Sequence, residues 1–98
     1  MKNIKREEAE EIIANGATII DVRTEGEFSE GHISGAINME IGEMSEEEIE
    51  KLDKEKSYLL YCRSGGRSSR AAQILDFLDF KNVYNLDGGY MEWVKKNS

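Results

Sequence analysis

Short β-branched apolar runs alternate along this chain with stretches of helical spacing, and that alternation restricts the fold more than any other feature. Ala17-Thr18-Ile19-Ile20-Asp21-Val22 has the length and composition of a buried strand. Gly35 to Met39, Ser57 to Tyr61 and Asn82 to Leu86 read as three more. Ahead of the first run, Glu7 to Ala14 places Ala9, Ile12 and Ile13 on one side of a short helix that stops at Asn15-Gly16. Arg23 to Gly31 is polar apart from Phe28 and predicts a loop with a helical turn. Ser45 and Glu48 stand at capping-box spacing and open a helix over Ser45 to Leu52. Ser68 to Phe80 carries Ala71, Ala72, Ile74, Leu75 and Leu78 at helical spacing. Gly88-Gly89 precedes a last short helix with Tyr90, Met91, Trp93 and Val94. Strands alternating with helices predict the α/β class, a parallel sheet covered on both faces. Ligands of such sheets gather at the carboxyl ends of the strands. Asp21, Cys62 and Asp87 fall at or just past strand ends and are expected to share that edge.

Ninety-eight residues make one domain, 1–98, without room for a second. A chain of this size buries roughly 60–70% of its unfolded surface, enough for a core without staples. The only cysteine cannot form an internal disulfide, and with the only histidine, His32, it cannot make a four-ligand zinc site. No metal or cofactor is expected. The net charge of −7, from 20 acidic against 13 basic residues, speaks against nucleic acid or an anionic membrane as partner. A free thiol suits a reducing compartment. The charged N-terminus, Met1-Lys2-Asn3-Ile4-Lys5-Arg6, lacks a signal-peptide core, and no apolar run approaches the roughly 20 residues of a membrane span. Read as a whole gene product, the chain is expected to be cytoplasmic, and monomeric for want of an obvious exposed apolar stripe.

The chemistry concentrates in Tyr58-Leu59-Leu60-Tyr61-Cys62-Arg63-Ser64-Gly65-Gly66-Arg67-Ser68. An apolar run delivers the cysteine into a Gly-rich turn, and a helical pattern follows. A thiol at that corner faces free loop N–H groups and the positive end of a helix, both of which favour a thiolate. Gly65 and Gly66 allow backbone angles that turn successive N–H groups inward as an anion nest. Ser64 and Ser68 add hydroxyl donors, and Arg63 and Arg67 offer planar forks for an oxyanion. Arg63, Arg67 and Arg70 lie in a stretch, Lys56 to Gln73, without an acidic residue. At the centre, Cys62 is placed to attack sulfur or phosphorus and carry the transferred group covalently.

These features resemble the rhodanese-like sulfurtransferase domain over almost the whole chain. The likeness rests on Asp21-Val22-Arg23, Glu27-Phe28, Gly31-His32-Ile33-Ser34-Gly35-Ala36-Ile37-Asn38, the loop Cys62 to Ser68, Leu86-Asp87-Gly88-Gly89-Tyr90, and Trp93. The resemblance implies a five-stranded, mostly parallel sheet flanked by helices on both faces, with the cysteine loop at its carboxyl edge. It implies that Cys62 is catalytic, taking sulfane sulfur from a donor such as thiosulfate and passing it from a persulfide to cyanide or a thiol. Arg63, Ser64, Gly65, Gly66 and Arg67 are then the residues expected to bind substrate. Phosphatases and arsenate reductases that resemble this domain use a loop one residue longer, C-x5-R. Here Arg67 closes C-x4-R and position 68 is serine, so sulfur transfer is favoured.

Other polar residues suggest support. His32 reads as structural, because a thiolate with lowered pKa needs no dedicated base. Asp21 and Arg23 read as an ion pair near the loop, since a carboxylate close to Cys62 would oppose the thiolate without a neutralising partner. Tyr58, Tyr61, Tyr84, Tyr90, Met91 and Trp93 are expected to pack, and Glu46-Glu47-Glu48 with Glu50 to face solvent. Besides an enzyme acting on small donors and acceptors, the same cradle suits a carrier module in a protein sulfur relay. A silent domain used for scaffolding is opposed by the intact cysteine loop.

Overall fold

The computed structural model describes residues 1–95. Five strands, β1 (Lys2–Ile4), β2 (Thr18–Asp21), β3 (Ile37–Asn38), β4 (Ser57–Tyr61) and β5 (Asn82–Leu86), form one sheet in the order β1-β5-β4-β2-β3. Every pairing is parallel, with Ile20 opposite both Ile37 and Leu60, and Leu60 opposite Asn85. The helices are α1 (Arg6–Ala14), α2 (Glu25–Glu30), α3 (Glu46–Ile49), α4 (Gly66–Phe77) and α5 (Gly89–Lys95), with a 3-10 turn at Ile41–Glu43.

Alternation along the central strand sorts its side chains onto two cores. Tyr58, Leu60 and Cys62 face one cluster with Ile20, Ala71, Ala72 and Leu75, so this face is closed by α4. Leu59 and Tyr61 face the other with Ile19, Ala9 and Leu86, backed by Phe28 and Trp93 from α2 and α5. Leu59, Leu60, Tyr61 and Leu75 are fully buried. Each such side chain contributes about 1.5–3 kcal/mol of transfer free energy.

The structure departs from the sequence expectations in several places. Lys2–Ile4 is an edge strand that the sequence did not suggest, since it is three residues long and buries Ile4 alone. The polar stretch after β2 holds a full helix, α2, because Thr24 caps it. The Thr24 Oγ1 accepts from the Glu27 N–H while the Glu27 carboxylate accepts from the Thr24 N–H. Ser45 and Glu48 form the expected capping box, yet α3 ends at Ile49 rather than Leu52. Helix α4 begins at Gly66 and ends at Phe77, two residues earlier than expected at its start and three at its end. Met91 does not pack: it is 41% exposed. Nor is the surface without apolar side chains. Ile74 and Phe77 stand out from α4, the latter 84% exposed, above a groove floored by Ile41 and Ile49. No helix among the described residues is long and apolar enough to cross a membrane.

Candidate active site

Strands β2, β4 and β5 end together at Asp21, Tyr61 and Leu86, so Asp21, Cys62 and Asp87 do share the carboxyl edge of the sheet. Cys62 leaves β4 and its loop wraps the sulfur. Sγ lies 3.1 Å from the Gly65 N–H nitrogen, and 3.4 Å from both the Ser68 nitrogen and the Ser68 hydroxyl. The side chain is 1% exposed. Burial pushes the thiol's pKa up. Hydrogen bonds from the Ser68 hydroxyl and N–H, and from the Gly65 and Ser64 N–H groups, outweigh it and leave a net downward shift.

One glycine of the pair behaves as expected. Gly65, with φ of 111°, is the left-handed residue that turns the loop and serves as the cap of α4. Gly66 is not left-handed; it is the first residue of α4, and a Cβ there would meet nothing within 4 Å. The nest is therefore built by one special glycine followed by an ordinary helical turn, whose free N–H groups point at the sulfur. Ser68, outside the expected C-x4-R set, is fully buried and supplies two of the contacts to Sγ.

A second turn braces the loop from outside. Gly88 and Gly89 carry φ of 80° and 60°, and α5 starts there. The Tyr90 N–H donates to the Cys62 carbonyl at 2.9 Å and the Met91 N–H to the Arg63 carbonyl at 3.0 Å. A Cβ on Gly89 would lie 2.6 Å from both of those carbonyl oxygens. The Asp-Gly-Gly sequence is thus needed for close backbone approach to the cysteine loop.

Asp21 and Arg23 form the ion pair the sequence suggested. The Arg23 guanidinium donates to both carboxylate oxygens at 2.7–3.1 Å, and also to the Gly31 carbonyl at 2.6 Å. Asp21 is fully buried. Tyr61 completes the network: its hydroxyl donates to Asp21 at 2.6 Å and accepts from the Ile33 N–H at 3.0 Å. Burial is the first cause that raises the Tyr61 pKa, and the Asp21 contact raises it further. In Arg23 the hydrogen bond to Asp21 is the main cause of a raised pKa. Period-two alternation puts this carboxylate on the face opposite Cys62, so it does not oppose the thiolate. The Arg23 guanidinium also lies 4.7 Å from the Tyr90 ring centroid, joining the network to the bracing turn.

The arginines diverge. Arg67 is held by Glu27 through two hydrogen bonds of 2.8 and 3.0 Å. Arg63 is exposed and has no ion pair among the described residues. Glu27 entered the sequence argument only through the family motif; its Thr-x-x-Glu spacing was the local signal for the helix that aims it. His32 is exposed, stacked at 3.7 Å on Phe28, with Nδ1 donating to the Phe28 carbonyl at 2.8 Å. It packs at the α2 end and is not among the hydrogen-bond partners of the Cys62 sulfur. Tyr58 donates to the Asp53 carbonyl and packs against Phe80; Tyr84 is half-buried in the second core. No cluster of three His, Cys, Asp or Glu side chains that would suit a metal occurs among the described residues.

The model of the rhodanese-like domain matches residues 5–96. The chain belongs to the rhodanese-like domain family. Among its relatives is the thiosulfate sulfurtransferase GlpE of Coxiella burnetii, 39% identical over 93 residues that span 94% of this chain and 86% of that protein. Its fold matches a rhodanese-related protein of Thermoplasma volcanium with a TM-score of 0.86 at 30% identity, over 98% of this chain and 93% of that one. It also matches the human single-domain sulfurtransferase TSTD1 with a TM-score of 0.85 at 26% identity, over 100% and 99% of the two chains. The five-stranded parallel sheet flanked by helices is the architecture these structures share with this chain.

Proposed function

We propose that this protein is a sulfurtransferase in which Cys62 takes sulfane sulfur from thiosulfate or a persulfide and passes it to cyanide or a thiol. The thiolate attacks the outer sulfur of the donor, forming a Cys62 S–S bond as sulfite or a thiolate leaves. The observation that carries this reading is the ring of donors on Sγ, from Gly65 and from the N–H and hydroxyl of Ser68. Such donors stabilise the thiolate before attack and whenever it is released again. The loop residues Arg63, Ser64, Gly65, Gly66 and Arg67 form the mouth through which a donor would reach it. Position 68, where a C-x5-R loop would carry arginine, is a fully buried serine on the sulfur itself, which supports sulfur over phosphoryl transfer.

Mass spectrometry tests the proposal. The wild-type chain treated with either donor gains one sulfur atom on Cys62, lost on adding cyanide or a reducing thiol. Cys62→Ser folds and gains none, since a serine hydroxyl needs a base and none faces it. Sulfur loading that persists in Cys62→Ser rules the mechanism out. Delivery from a protein persulfide with no turnover on small donors selects the carrier form of the same chemistry.

A further inference from the structure

The surroundings of the loop bear on which donor it accepts. Thiosulfate is a dianion and must approach a thiolate, so it depends on uncompensated positive charge at the mouth. Two arginines border that mouth, and one of them is neutralised. Arg67 meets both oxygens of Glu27 in a fork-on-fork pair at 2.8 and 3.0 Å. Glu27 is itself fixed by the Thr24 N–H and hydroxyl at 3.1 and 3.2 Å, so the pair is aimed by the capping box of α2. The hydrogen bonds from Arg67, and after them the Thr24 backbone, hold the Glu27 pKa down at about 2, and it is charged throughout the working range. Beside the same loop lies a cleft of about 300 Å³ between Arg63 and α5. Its remaining walls include Tyr90, Met91 and Val94 together with Arg23, Glu27 and Glu30. Met91 and Val94 are 41% and 46% exposed. Glu27 is paired with Arg67 and Arg23 with Asp21, so the charges on this cleft largely cancel, and its apolar wall suits an organic group that thiosulfate lacks.

Building on the sulfurtransferase reading, we propose that Glu27 is a specificity-determining residue that selects organic hydropersulfides, R–S–SH, over thiosulfate by neutralising Arg67. The Cys62 thiolate attacks the terminal sulfur, the new bond joins it to Cys62, and the R–S to S bond breaks. R–S⁻ leaves with the bonding pair, and the proton stays on the transferred sulfur. No oxidant or reductant is required. The R group occupies the cleft against Met91 and Val94, and Glu27 acts on the reaction through Arg67, without touching the sulfur.

The test compares kcat/KM for thiosulfate and for the hydropersulfide of 2-mercaptoethanol in wild type and Glu27→Gln. Glutamine keeps a capping box and so preserves α2 while removing the charge. In Glu27→Gln the ratio of thiosulfate to hydropersulfide efficiency rises about five- to tenfold at low salt, and salt erodes the gain. Combining Glu27→Gln with Arg67→Gln returns the ratio to the wild-type value or below, because the released cation is gone. A ratio that stays within about twofold of wild type in Glu27→Gln, or a gain that survives loss of Arg67, overturns the specificity proposal while leaving sulfur transfer standing. Failure of both donors to load Cys62 in the wild-type chain overturns the sulfurtransferase reading itself.

Discussion

Cys62 shows how a buried thiol can still be the more acidic one. Burial alone disfavours a thiolate, but four donors converge on a single atom, and their sum exceeds the desolvation cost. The measurable consequence is a thiolate that forms below the ordinary cysteine value of about 8.5. Ultraviolet absorbance of the thiolate across a pH titration is expected to show it; Ser68→Ala removes the hydroxyl donor and moves the midpoint up. At the same scale, the Glu27 carboxylate titrates from 4.5 down to about 2 on folding. A depressed pKa means the stability it contributes is complete above about pH 4.5 and is lost as pH falls toward 2. The difference in melting temperature between wild type and Glu27→Gln is therefore constant near neutral pH and shrinks on acidification through that window. Its size corresponds to less than about 1 kcal/mol, because the pair is partly solvated.

At the scale of elements, two turns meet at the cysteine, one opening α4 and one opening α5. They use glycine for different reasons, and substitution separates them. Gly66 has helical backbone and open space, so Gly66→Ala is expected to raise stability by about 0.5–1 kcal/mol in a denaturant titration. Gly89→Ala places a Cβ 2.6 Å from the carbonyl oxygens of Cys62 and Arg63. The β5–α5 turn must then withdraw, breaking the Tyr90 and Met91 hydrogen bonds that brace the loop. A loss of more than about 2 kcal/mol and a raised Cys62 pKa are expected together. The apolar side chains of α4 matter in another way. Ala71, Ala72 and Leu75 close the sheet, whereas Ile74 and Phe77 face away from it.

For the whole molecule, the Asp21–Arg23–Tyr61 network connects parts of the chain that no single element joins. It links the ends of β2 and β4, the Gly31–Ile33 segment and, through the Tyr90 ring, the brace of the cysteine loop. Tyr61→Phe keeps the ring and removes the hydroxyl, leaving the Ile33 N–H without its partner and Asp21 Oδ2 with Arg23 as its remaining donor. The expected cost is about 1–3 kcal/mol by equilibrium unfolding. Because this network lies on the opposite face from Cys62, sulfur loading per folded molecule is expected to fall far less than stability does.

Strand runs, helix periods and the Cys62 to Ser68 loop were legible in the sequence because each is decided within a dozen residues, by periodicity and turn chemistry. The same locality explains the misses. Lys2–Ile4 is too short to show a period and becomes a strand only because β5 lies beside it. That Arg67 pairs with Glu27, forty residues away along the chain, is visible in neither segment alone. Tyr61 looks like packing until its hydroxyl meets Asp21 across the β2–β4 register, again forty residues apart. Sheet order is not chain order, so pairings of this kind exist only once β1-β5-β4-β2-β3 has assembled. The sequence alone determined that the only cysteine stands at the end of a strand in a Gly-rich turn ahead of a helix, a setting that favours an anion. Only the tertiary structure decided that Arg67 is paired while Arg63 has no ion pair among the described residues, because that depends on what the fold packs beside each.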